Sequence, residues 1–389
     1  FSVDDIGVLT SSALNALSTV QFRGLADTQL ATLTTNQLQG VTAAQLGTLS
    51  TTVLQDLSAT VVADLSSVQL AGLSSAQIHG LAANQILALT QTQISNLTSG
   101  QFSAFDTAQL GGLTSTQTSL LTTTQINTLT TAQFDALSND VIATLTTTQI
   151  GGLTTSDINV LDATDFAVLS STQLRGFAST QFGALTTTNI AALTTDQFDG
   201  LTSTILGGMT AVQVKALSTD NIAALTTNQF GGITAAQLGA MSTTQFDALT
   251  STIIAELRTS QLSGVTAAQF AALSTTDFGA LSTSIIGALS ATQLKALTTT
   301  IVSALQTVQL AGLSSTQLGT MLSTQINALS QGVFESFGTV QFRGFSASII
   351  SGITTTHINE LASTVIDAMT TTQARALTVT QLGNLTTTT

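Results

Sequence analysis

The sequence predicts an all-α solenoid of very short helices. Three observations carry that prediction. An eight-residue repeat keeps its register over 389 residues, a Ser/Thr-x-x-Gln signature recurs at fixed places in it, and the basic residues gather at one position. Written in lines of eight from Phe1, residues 145–152 read LTTTQIGG, 185–192 read LTTTNIAA and 289–296 read LSATQLKA. We label the eight positions a to h.

Position a is Leu, Met, Ile, Val or Phe in all 48 complete octads, so it marks one wall of a core. Position b is Ser or Thr in 38 of them and Asp in two more, Asp106 and Asp162, and position e is Gln in 30. Ser or Thr followed three residues later by Gln is a capping box, in which hydroxyl and amide each bond the other residue's backbone N–H. Position a then stands just before the cap and position f four residues into the helix, which are the partners of a hydrophobic staple. Position f is apolar except at Thr118, with Ala374 the one small residue. Each octad therefore restarts a helix of about one and a half turns over c to h.

A continuous helix fails. Eight residues at about 100° each leave a drift of about 80° per octad, so a and f would spiral and never form a stripe. The bases agree with a broken helix, because a helix dipole favours cations in the last turn. Arg23, Arg175, Lys215, Lys295, Arg343 and Arg375 all sit at g, and only Arg258, at b, departs. The acids are sorted only slightly. The glycine pairs Gly111–Gly112, Gly151–Gly152 and Gly231–Gly232 fall at g and h, where a helix ends and positive φ is expected. The alternative is a β-solenoid, since Thr, Ile, Val and Phe favour strands. It would draw some b and d hydroxyls inward, where they need partners.

A longer period shows across octads. Apolar residues replace Gln at e in eleven octads: Ala13, Val53, Val61, Val141, Ile205, Ile253, Ile285, Ile301, Val333, Ile349 and Val365. All but Val53 fall in even octads, whereas Phe at f favours odd ones, with Phe270 and Phe334 the exceptions. That alternation predicts a coil of two octads. Burying a and f gives roughly 3–6 kcal/mol per octad, while ordering eight residues costs roughly 8–16 kcal/mol. One octad cannot fold alone, and stacking must supply the rest. About 24 such coils at a helix-packing spacing of ~8–10 Å would make a rod of ~200 Å. With no insertion, linker or composition shift, residues 1–389 read as a single continuous octapeptide-repeat solenoid. The start without Met and the stop in mid-octad lead us to expect a segment of a longer or processed chain.

Composition restricts the function. No Cys means no disulfide, thiolate metal site or thiol nucleophile. Seven dispersed Lys and Arg against 20 Asp and Glu cannot neutralise a phosphate backbone, so no nucleic-acid partner is expected. No run of 18 apolar residues marks a transmembrane helix. His79 lies at g, and His357 replaces Gln at e, three residues before Glu360, so the latter two can meet on a helix. Both histidines are assigned surface or capping roles. No catalytic, cofactor-binding or metal residues are assigned and no enzyme is expected, with calcium at coil edges the one alternative ligand. The apolar e residues admit two readings: an extension of the core, or a lateral interface carried by Ile253, Ile285, Ile301 and Ile349. Asn96 and Asn384 begin NLT glycosylation acceptor patterns.

The octads LTTTQIGG and LTTDQFDG resemble the short Thr-rich repeats of very large secreted bacterial surface proteins, along the whole chain. The resemblance implies export by a Gram-negative bacterium and a place outside the cell or on its surface. The L-[ST]-x-x-Q-[LI] core is also similar to helix starts in mesothelin-like superhelical proteins, which usually carry Pro at the first helical position; this chain has no Pro. The expectation is a structural subunit of an extracellular filament, sheath or surface layer whose partner is itself. The alternative is an adhesin stalk or a solenoid module that binds glycan or protein.

Overall fold

The computed structural model describes residues 2–385. Within them the chain forms 48 helices of four to six residues and no strand. Every helix begins at position c, so the period of the sequence is the period of the structure. The chain divides into two compact units, Phe1–Ala192 and Leu193–Thr389. Both are built from the same octad.

Residue b is extended and caps the helix, as at Thr146 (φ −73°, ψ 158°). In octad 233–240 the Gln237 N–H donates to Thr234 Oγ1 at 3.3 Å, and the Thr234 N–H donates to Gln237 Oε1 at 2.7 Å. The amide half of the box survives where b has no hydroxyl: the Ala82 N–H still donates to Gln85 Oε1 at 2.8 Å. At the other end the N–H of the next a residue bonds the carbonyl of f, as Leu153 does to Ile150 at 3.1 Å. Capping box and reverse bond together end one helix and start the next within a few residues.

Side chains at f are buried throughout most of both units, and those at a line the same core. In octad 177–184 the staple is a ring pair, with Phe177 and Phe182 centroids 5.9 Å apart at 90°. Thr118, the polar residue at f, is also buried, and its hydroxyl donates to the Thr114 and Ser115 carbonyls at 3.1 and 3.2 Å. Position d points outward, which leaves Val20, Val68, Val212, Val308 and Val340 exposed.

The coil is longer than two octads, and that expectation is corrected here. Helices stack on the third helix along the chain: Ala59–Ala63 on Ala83–Ala88, Ser251–Ala255 on Thr275–Ala280, and Ala267–Ala272 on Ala291–Ala296. Side-chain bonds between coils span 25 to 31 residues, so a coil holds between three and four octads. The reason lies in the junction. A two-octad coil needs the chain to reverse after every helix, and one extended cap residue turns it through much less. The same register accounts for the opposed parities seen in the sequence. Position e meets f three octads earlier, as His357 meets Phe334 with centroids 4.3 Å apart. Three is odd, so by this register e in an even octad is set opposite f in an odd one, as Ile253 is to Phe230 and Ile301 to Phe278.

Glycine also has a different role from the expected one. Among the described residues none has positive φ. Several of the glycines at g and h serve close approach between coils. A Cβ on Gly239 would lie 2.6 Å from the Gly264 carbonyl, and one on Gly287 the same distance from that of Gly312. In the first unit Gly47 and Gly72 meet in the same way at 2.9 Å.

Candidate functional site

The most repeated polar constellation in the molecule is the glutamine at e, and only half of its role was legible in the sequence. Gln237 is 2% exposed, and its Oε1 closes the capping box. Its Nε2 donates to the Leu206 and Met209 carbonyls, both at 2.7 Å, in the coil on its N-terminal side. Gln45 does the same in the first unit, to Leu14 at 2.8 Å and Leu17 at 2.7 Å. One side chain thus satisfies a helix start in its own coil and two junction carbonyls, at f and the following a, in the coil before. The carbonyl at f also accepts from the next a N–H, as Leu206 does from Met209 at 3.2 Å, so the groups that depend on the glutamine are the N–H of b and the carbonyl of a, each costing about 1–3 kcal/mol if left unpaired. A signal was present: a capping box accepts Glu as readily as Gln, yet no octad has Glu at e. Only the amide carries the donors that the earlier coil requires.

A second bracket runs the other way. Side chains at g donate to the carbonyl of h three octads later: Asn15 to Gly40 at 2.8 Å, Asn327 to Gly352 at 2.8 Å, and Arg343 Nε to Ala368 at 2.9 Å. His79 Nδ1 lies 2.9 Å from the Ala104 carbonyl in the same geometry. Arg343 at g therefore serves a helix end, as the dipole argument expects, but the end belongs to the next coil.

Ile253, Ile285, Ile301 and Ile349 are each 2% exposed. This corrects their assignment as a lateral interface, because their side chains are enclosed within the stack and present no surface. His357 and Glu360 do meet, with Nδ1 3.1 Å from Oε2 and both side chains 12% exposed. Some aspartates act at helix starts, Asp162 and Asp5 among them. Backbone N–H groups of Asp165 and Thr164 hold the Asp162 carboxyl below the ordinary aspartate range, and the Ser2 N–H does the same for Asp5. Burial pushes Asp165 up, and the charges of Asp162 and Asp135 push the same way. Among the described residues no group of three or more His, Asp or Glu is placed to hold a metal ion. No described helix is long and apolar enough to cross a membrane. Asn96 is exposed and donates to the Thr92 carbonyl at 2.7 Å. Thr386, which completes the second NLT, lies outside the described residues.

A family model described as ALTTAQ repeat matches residues 158–195, 190–227 and 270–307. All three matches begin at position f, in step with the octads. The six letters of that description correspond to positions h to e, the segment that crosses a junction and ends on the bracketing glutamine; residues 192–197 read ALTTDQ and 224–229 read ALTTNQ. No curated protein gives a significant match to the chain.

Proposed function

We propose that this protein is a structural subunit of an extracellular filament, sheath or surface layer, assembled by self-association of its repeat. The observation that carries the reading is the uniformity of the brackets. The repeated geometry of the octad is used to fasten one coil to another, at Gln45 as at Gln237. The surface supports the same reading. It is rich in Ser and Thr with exposed valines at d and has few charges to oppose contact between copies. Export follows from the resemblance to secreted bacterial surface repeats.

An adhesin stalk or a solenoid that binds glycan or protein is the second reading. It is favoured by a groove of about 450 Å³ in the second unit, where Thr259, Ser263, Ser290 and Thr292 gather around Gln293. Negative-stain electron microscopy of the purified protein, with and without calcium, tests the choice. Filaments or sheets are expected. Dispersed single particles at every concentration and ionic condition would overturn self-association and turn attention to the groove.

A further inference from the structure

We propose that copies of this chain join head to tail, the coil at residues 9–25 of one copy seated on the coil at residues 366–382 of another by the bracket that fastens coils within the chain. The inference rests on the self-association proposed above and says which faces meet. Inside the stack a coil has two unlike sides. Position e faces the coil before, as Gln237 reaches the Leu206 and Met209 carbonyls. Position f faces the coil after, as Phe334 meets His357. Most interior coils bury both. The two outermost described coils each bury one and present the other.

In the first of them, Leu14 and Phe22 at f are fully buried, while Gln21 at e is exposed and Ala13 at e is half-buried. Leu9, Ala13, Leu17, Gln21 and Leu25 line a pocket of about 390 Å³. Gln21 Oε1 accepts from the Ser18 N–H at 2.9 Å, which closes the capping box, but its Nε2 has no acceptor among the described residues. In the last coil the order is reversed. Gln373 and Gln381 at e are buried, with Nε2 bonded to the coil before, whereas Ala374 and Leu382 at f are exposed, Leu382 to 52%. The Met369 and Leu377 carbonyls, at the a position that e amides hold elsewhere, accept no hydrogen bond among the described residues.

One face thus offers an amide donor beside an apolar pocket, and the other offers carbonyl acceptors beside apolar side chains. Two copies of the same face would bring donors to donors or acceptors to acceptors. The fit is between unlike faces, and such a contact adds copy to copy unless its rotation closes a ring. A solenoid coil that is to face water carries a polar outer side. Here the a residues on both faces, Leu9, Leu17 and Leu25 on one and Met369 and Leu377 on the other, are only half-buried.

Sedimentation velocity on the 389-residue protein tests this with two double variants. Ala13→Glu with Gln21→Glu blunts the first face, and glutamate at e still completes a capping box, so the helices are kept. Ala374→Glu with Leu382→Glu blunts the second face at exposed positions. The wild type should grow with concentration. Each variant should keep the wild-type circular dichroism and remain a single copy at concentrations where the wild type grows. Mixed in equal amounts, the two variants should form one-to-one pairs and nothing longer, because each retains the face that the other lacks. A variant that assembles as the wild type does, or a mixture that stays single or grows beyond pairs, would overturn this proposal and leave self-association through another surface standing. A wild type that stays single at every concentration would overturn both.

Discussion

Where an apolar residue stands in place of glutamine at e, Phe1–Ala192 and Leu193–Thr389 choose differently. The first unit places Ala13, Val53, Val61 and Val141 there; the second places Ile205, Ile253, Ile285, Ile301 and Ile349, with Val333 and Val365. Among the described residues, the second unit also contains four of the g-to-h glycine approaches, such as Gly239 to Gly264, against two in the first, Gly47 to Gly72 and Gly151 to Gly176. The second unit thus puts larger apolar side chains at e and repeats the close glycine approach more often. The difference teaches that one position has two stable solutions. A glutamine satisfies two buried backbone groups, the N–H of b and the carbonyl of a in the earlier coil, each about 1–3 kcal/mol if abandoned, and adds a second bond to the carbonyl of f, which already accepts from the next a N–H. An isoleucine instead gains about 1.5–3 kcal/mol by burial and leaves those groups to other partners. A shorter amide can fall short of the full bracket. Asn221 bonds the Leu193 carbonyl at 3.0 Å, yet its Oδ1 is buried without a partner.

The strongest way to break the comparison is Gln237→Glu. It keeps the cap and sets a carboxylate against two carbonyls, at an expected cost of about 3–5 kcal/mol near neutral pH. The introduced group would be protonated more readily in the folded state, so the deficit should shrink in acid and grow as pH rises through the ordinary glutamate range. Urea titrations at two pH values would show it. Ile253→Ala should cost about 2–4 kcal/mol, whereas Ile253→Gln should cost less than about 1 kcal/mol, because glutamine can take up the bracket in that octad. Equal losses for the two would mean that the two solutions do not exchange. Gly264→Ala, which drives a Cβ into the Ala235 backbone, should cost about 1–3 kcal/mol. The smallest effect expected is a gain. Asp199 at g faces the helix end that Asn serves elsewhere, so Asp199→Asn should add about 0.5 kcal/mol, measurable as a higher urea midpoint.

Much of the octad was readable because its logic is local. Ser/Thr at b, Gln at e and apolar a and f lie within one repeat, and each has a geometric consequence that does not depend on the rest of the chain. What was missed lies in the neighbouring coil, about three octads along the chain. The parity of Phe230 and Ile253 suggested a two-sided coil because a bias of alternate octads looks the same whether contacts join neighbours or octads three apart. The glycines at 151 and 152 suggested a left-handed helix end because sequence shows a missing side chain but not what lies against it. The four isoleucines could have faced either way until the register was known.

The glutamine bracket has a consequence for how such a gene can change. Its acceptors are backbone carbonyls, which every octad supplies whatever its side chains. A recombination that removes or adds one octad would leave each remaining glutamine with two carbonyls to hold. The glycine contacts have no such freedom, since Gly264 at h lies where any Cβ would run into the Ala235 backbone, and an h residue with a side chain brought to that place by a shift of one octad would clash. Length should therefore drift easily in stretches fastened by glutamine, and be held in whole coils where glycines meet.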